Sequence, residues 1–235
     1  GTTNTTPDTG CSGACNLISG NNTYSFHTYS AYTGSSVVVS NLTVQGNFFN
    51  YDVTGTVVLP YAGIVSFAES SGNNLIGGDT PQARNLFATQ ANVSQHATIQ
   101  GNWFGLTLAG TWNEHGSLRI TYVDEPTVVT DNIIRVLSLR NVLEVVVERN
   151  YIGVTPSGTQ TSSGVVDIHT SYISLNFSDN IVGIPLSIQS SVGTISGNWI
   201  GTMPDGTPLP INTHGINVRS GSVDQQLDIH NNTIA

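Results

Sequence analysis

Short runs in which every second residue is apolar recur along the chain. Leu118 and Ile120, Val166 and Ile168, and Ile216 and Val218 each alternate with polar neighbours, the period of two expected where a strand buries one face. No 11-residue window carries a sustained helical apolar stripe, because Gly or Asn interrupts nearly every one. The pattern predicts many short strands and very little helix.

The runs are phased by a repeated turn. Val44-Gln-Gly-Asn-Phe-Phe-Asn, Ile99-Gln-Gly-Asn-Trp-Phe-Gly, Val147-Glu-Arg-Asn-Tyr-Ile-Gly and Ile195-Ser-Gly-Asn-Trp-Ile-Gly are variants of one unit, the last three spaced by 48 residues. Gly110-Thr111, Gly158-Thr159 and Gly206-Thr207 close a loop at the same offset. A second turn, Asp131-Asn132-Ile133-Ile134 and Asp179-Asn180-Ile181-Val182, splits each period into 30 and 18 residues. A fixed period with two turns per repeat reads as stacked coils, two per period, sharing one core. The fold class is all-β, a parallel β-helix solenoid with irregular coils, over a single domain 1–235.

Asparagine stands at Asn22, Asn47, Asn102, Asn132, Asn150, Asn180, Asn198 and Asn232. It tolerates the left-handed backbone of a sharp corner, and its amide can both donate to and accept from an Asn stacked one coil away. An asparagine ladder satisfies polar groups that the corner would otherwise bury unpaired, so the motif has a structural explanation. Trp103, Tyr151 and Trp199 follow three of these Asn residues at the same 48-residue spacing and are expected to pack on one another along one edge.

Charge removes several function classes. Only 9% of residues are charged, the net charge is -9, and the six basic residues are all Arg. With Arg84, Arg119, Arg135, Arg140, Arg149 and Arg219 scattered, no nucleic-acid partner is expected. No stretch of 18 apolar residues is present, so membrane insertion by a helix is not expected. No charged-then-apolar leader opens the chain, and any export signal is expected to have been removed. Cys11 and Cys15 close a short loop in which Gly13 lets the backbone double back, and a local disulfide is expected. Six Asn-x-Ser/Thr sequons, Asn4, Asn21, Asn41, Asn92, Asn176 and Asn231, are candidate glycosylation sites.

The Asn16-Leu-Ile-Ser-Gly-Asn run, the run from Ile76 to Leu86 (Ile-Gly-Gly-Asp-Thr-Pro-Gln-Ala-Arg-Asn-Leu) and the Gly197-Asn-Trp-Ile-Gly-Thr-x-Pro-Asp-Gly-Thr run resemble secreted right-handed parallel β-helix repeat proteins of the pectate-lyase-like architecture. The likeness covers nearly the whole chain. It implies right-handed coils and a secreted, extracellular or cell-surface setting. That architecture hosts lyases, hydrolases, tailspikes, adhesins and stalks, so it does not by itself assign an activity.

A β-helix enzyme acting on acidic polysaccharide needs carboxylates for acid and base work, or calcium with a basic residue. Lys is absent. Glu114 and His115 with Asp124, Glu125 and Asp131 form one loose acidic group, and Asp167, His169 and Asp179 another. Arg119 and Asp167 fall in one column about 9 to 10 Å apart, too far for a direct pair. Polygalacturonase-like members of the architecture carry an Asp pair and a His-Gly. His115-Gly116 and His214-Gly215 lack the adjacent Asp pair. No catalytic residue, metal ligand or cofactor is assigned. Trp112, His115 and Tyr122, outside the 48-residue series of rings, are the candidate glycan contacts.

Read tail to head, Asn231-Asn232-Thr-Ile-Ala followed by Gly1-Thr-Thr echoes Asn73-Asn74-Leu-Ile-Gly-Gly-Asp-Thr, as if the chain began and ended inside a repeat. With no obvious cap, end-to-end self-association is expected. The leading expectation is a non-catalytic extracellular structural protein, a filament subunit or rigid surface stalk. The alternative is a carbohydrate-active enzyme or a glycan-binding adhesin or tailspike module.

Overall fold

The computed structural model describes residues 10–11, 15–28, 39–60, 63–68, 70–169, 174–189, 192–210, 214–219 and 226–235. Most of its strands lie in three long parallel sheets, and Val39–Ser40 pairs with Ser70–Ser71 in a separate two-stranded one. The first has nine strands, from Asn16–Ile18 to Thr233–Ile234. The second has eight, from Tyr24–Thr28 to Ile216–Arg219, and the third eight, from Thr43–Val44 to Gln226–His230. The chain visits first, second and third sheet in turn, so each circuit is one coil and each strand pairs with its counterparts one coil before and after. This is a right-handed parallel β-helix, the hand that a right-twisted strand favours for a crossover between parallel strands. Among the described residues the helical content is a single 3-10 turn, Pro81–Ala83, capped by the Thr80 hydroxyl.

Alternation fixes which side chains enter. The inner column of the first sheet runs Ile18, Phe49, Phe87, Phe104, Ile134, Ile152, Val182, Ile200 and Ile234. Phe49, Phe87 and Phe104 stack with centroids 4.8 and 4.7 Å apart and planes within 5°, because the interstrand spacing of about 4.8 Å is itself a stacking distance. The second sheet contributes Leu118, Leu137, Val166 and Leu186, and Ile120, Leu139, Ile168 and Ile188. The third contributes Ile99, Val129, Val147, Phe177 and Ile195. One apolar cluster joins all three sheets, with Ile18 and Phe26 at one end and Ile216 and Leu227 at the other.

Successive coils are 31, 38, 17, 30, 18, 30, 18 and 34 residues long. Much of the difference lies between the first and second sheets, where Tyr51 and Val58, Leu106 and Trp112, Val154 and Thr161, and Thr202 and Pro208 form antiparallel bridges. These hairpins lie on the outer face of the first sheet. There Phe48, Tyr51, Leu86 and Ala88 form one small core with Trp103 and Leu108, and Val154, Ile181 and Leu209 another with Tyr151, Trp199 and Met203. Trp103, Tyr151 and Trp199 therefore do not pack on one another as expected. Ile133 and Ile181, from the intervening short coils, separate them. The 48-residue aromatic period marks the coils that carry a hairpin.

The asparagine ladder stands at the corner from the third sheet into the first, and its members are Asn16, Asn47, Asn85, Asn102, Asn132, Asn150, Asn180, Asn198 and Asn232. From Asn47 on, each backbone N–H and each Nδ2 donates to the Oδ1 of the Asn one coil further along, at 2.8–3.1 Å. Nδ2 also donates to one carbonyl in its own turn and one a coil back, such as Gln100 and Ile76 from Asn102. Every buried amide of the ladder is thus matched. Two corrections follow. Asn22 is exposed and lies outside the ladder, whose first member is Asn16, while Asn85 serves in the coil where the Gly-Asn pattern is broken. Nor do the ladder residues take the left-handed backbone. The preceding residue does: Gly46, Gly101, Asp131, Arg149, Asp179, Gly197 and Asn231 have φ between 53° and 69°.

Asn73-Asn74 and Asn231-Asn232, alike in sequence, occupy different corners. Asn74 enters the third sheet and its Oδ1 accepts the Leu42 N–H, whereas Asn232 is in the ladder. Cys11 and Cys15 are disulfide-bonded, beside the first hairpin core.

Candidate functional site

The outward side chains of the second sheet form a polar face, since its inner positions are taken by the core. One column runs Asn92, Arg119, Ser138, Asp167, Ser187, Asn217, and the next Thr121, Arg140, His169, Gln189, Arg219. Arg140 donates from Nη2 to Asp167 Oδ2 at 2.6 Å across adjacent rungs. Arg119 and Asp167 share a column with Ser138 between them, as the spacing indicates, and the partner of Asp167 is Arg140 from the adjacent column. Three of the chain's six Arg residues, Arg119, Arg140 and Arg219, thus lie on this face of a protein of net charge -9.

Three hollows open beside these columns. A groove of about 710 Å³ has Asp167, Ser187, Asn217 and Arg219 on its floor and Ser163, Pro185, Pro210 and His214 along its sides. A pocket of about 130 Å³ lies between Arg119, Thr121, Tyr122, Arg140, Asn141 and His169. A cleft of about 820 Å³ lies between the first two hairpins, bounded by Val58, Pro60, Ile64, Gln90, Glu114 and His115.

The residues singled out from sequence are spread over these features. Trp112 is half-buried, bridged to Leu106 in its hairpin, with a buried Nε1 that has no hydrogen-bond partner among the described residues. His115 lines the large cleft and Tyr122 the small pocket, so the three do not form one contact surface. Glu114 and His115, Asp124 and Glu125, and Asp131 sit at three different corners of their coil. Asp167 and His169 share the polar face, but Asp179 is at the ladder corner. His115-Gly116 and His214-Gly215 precede second-sheet strands four rungs apart, about 19 Å at the usual rung spacing. Among the described residues Asp167 is the one carboxylate in the two columns, and no three His, Cys, Asp or Glu side chains gather as metal ligands would.

Local electrostatics follow from the same stacking. Partial burial would raise the Asp131 carboxyl, yet hydrogen bonds from Arg149 and Thr130 and the Arg149 charge outweigh it and hold it below its ordinary value. Burial lowers Arg135, partly offset by the Glu114 charge. Tyr51 is pushed up by burial within the hairpin core, where its hydroxyl takes the Asn113 amide and donates to the Leu106 carbonyl.

Of the sequons, Asn21, Asn41, Asn176 and Asn231 are exposed, Asn92 is half-buried on the polar face with its Oδ1 held by Gln90 at 2.5 Å, and Asn4 lies outside the described residues.

The Arg140–Asp167 pair and its neighbours are hard to find in the sequence because a short coil separates residues that a 48-residue comparison aligns. Counting from each ladder Asn supplies the missing phase. A scan of protein-family models, a search of curated proteins and a search of solved structures return no match to this chain.

Proposed function

We propose that this protein is a non-catalytic extracellular structural element, a β-helical rod whose copies stack head to tail into a filament or rigid surface stalk. The observation that carries the proposal is the state of the ladder at its two ends. Asn198 donates its N–H and Nδ2 to Asn232 Oδ1, but among the described residues the Asn232 N–H has no acceptor. Asn16 donates to Asn47 Oδ1, and its own Oδ1 receives no donor among those residues. The ladder thus runs with a single polarity from Asn16 to Asn232, so a copy that continued it would join head to tail.

The coil at the Asn232 end adds apolar surface. Val218, Ile229 and Ile234 stand in core columns yet are 44%, 42% and 52% exposed. A further coil would bury them at about 25 cal/mol per Å² and pair the open strand edges. The Cys11–Cys15 disulfide and the resemblance to secreted β-helix repeat proteins support an oxidising, extracellular setting.

Sedimentation of the 235-residue chain over a wide concentration range tests this. Self-association that grows with concentration and is lost in Ile229→Asp, with the circular-dichroism spectrum retained, is the expected result. A chain that stays monomeric throughout, or an Ile229→Asp variant that associates as well as the parent, overturns it.

A further inference from the structure

We propose that the pocket between Arg119, Arg140 and His169 binds a carboxylate or sulfate group carried on a saccharide ring, with the ring lying against Tyr122. This reading is independent of end-to-end stacking, because the pocket lies on the side of the rod.

Charge is the first argument. Arg119 and Arg140 occupy neighbouring rungs on adjacent columns, and His169 lies directly beside Arg140. Asp167 engages one nitrogen of Arg140, while Arg119, exposed, has no hydrogen-bond or ion-pair partner among the described residues. The pocket thus holds two guanidinium groups, of which Arg140 is paired with a carboxylate and Arg119, among the described residues, is not, in a protein of net charge -9. A planar fork of donors suits a carboxylate or sulfate.

Tyr122 is the second argument, and it is separate from charge. It has φ 58° and is 74% exposed. The corresponding corner of the next coil also takes the left-handed backbone, but there the residue is Asn141, φ 52°. Asn is suited to that conformation and an aromatic residue is not. A strained, solvent-facing ring at the mouth of a cationic pocket points to a contact with a ligand rather than to the fold. The pocket, at about 130 Å³, has room for the charged group and not for the whole sugar, which leaves the ring over Tyr122 with Thr121 and Asn141 beside its hydroxyls.

Titration calorimetry with methyl glucuronide, glucose 6-sulfate, methyl glucoside and inorganic sulfate tests the proposal. At least one charged sugar is expected to bind about tenfold or more tightly than the neutral glucoside, and Arg119→Gln to remove about tenfold of that affinity. Tyr122→Asn should weaken the charged sugar about fivefold, leave inorganic sulfate unchanged, and keep or raise Tm because it relieves the corner. The relative affinities of glucuronide and 6-sulfate decide which charged group the pocket prefers. Saturable binding of neither charged sugar, equal binding of methyl glucoside, or an unaltered isotherm for Arg119→Gln overturns the proposal. Binding of inorganic sulfate with no gain from an attached ring would reduce the pocket to an adventitious ion site only and overturn it as well.

Discussion

A single ladder amide does more than cap a turn. The Asn102 side chain accepts from Asn85 N–H and Nδ2 and donates to Asn132 Oδ1 and to the Ile76 and Gln100 carbonyls, all in a corner closed to water. Replacing it leaves several buried groups unpaired, each costing about 1–3 kcal/mol. Asn102→Ala should therefore destabilise the protein by about 3 kcal/mol or more, whereas Asn22→Ala should stay within about 0.5 kcal/mol. Urea titration of the two variants compares them. The neighbouring corner residues titrate. Asp131, held below its ordinary value of 3.8 mainly by Arg149 in opposition to partial burial, contributes stability that is fully present above the unfolded pKa and is lost as pH falls through the lowered folded value. Both partners are substantially exposed, so the pair is worth under about 1 kcal/mol. Asp131→Asn should narrow the gap between Tm at pH 7 and at pH 3, and an unchanged gap would contradict the assignment.

At the scale of the element, a coil is held by what its strands stack on. Phe87 is fully buried between Phe49 and Phe104, and Phe87→Ala should cost about 3–5 kcal/mol, measured by thermal or denaturant unfolding. A loss below about 1 kcal/mol would mean that the stack is not a rigid part of the core. The alternating runs already reveal the strands, and the Gly-Asn turns reveal the ladder corner, because period and turn chemistry are local. Asn16 and Asn85 escape notice because the coils at that end, 31, 38 and 17 residues long, break the alternation of 30 and 18 that phases the later turns. The outer hairpins and the partners of Arg140 are not local. The inner columns keep a 48-residue offset from Leu118 to Val166 but drift to 49 from Leu137 to Leu186 and to 50 from Val166 to Ile216. A single period therefore cannot place outward side chains across coils of unequal length.

For the whole molecule, three parallel sheets, one continuous core and a directional ladder make a rod whose coils all face the same way. Nothing in the coil-to-coil bonding distinguishes a contact within the chain from one between copies, which is why the proposed filament needs no new kind of interaction. If the Asn232 rung of one copy meets the Asn16 rung of the next, nine rungs at about 4.8 Å set an axial repeat of about 43 Å. Electron microscopy of the concentrated protein measures it directly: straight fibres with a subunit repeat near that length are the expected result, and discrete particles at every concentration, or fibres without that repeat, would contradict head-to-tail stacking.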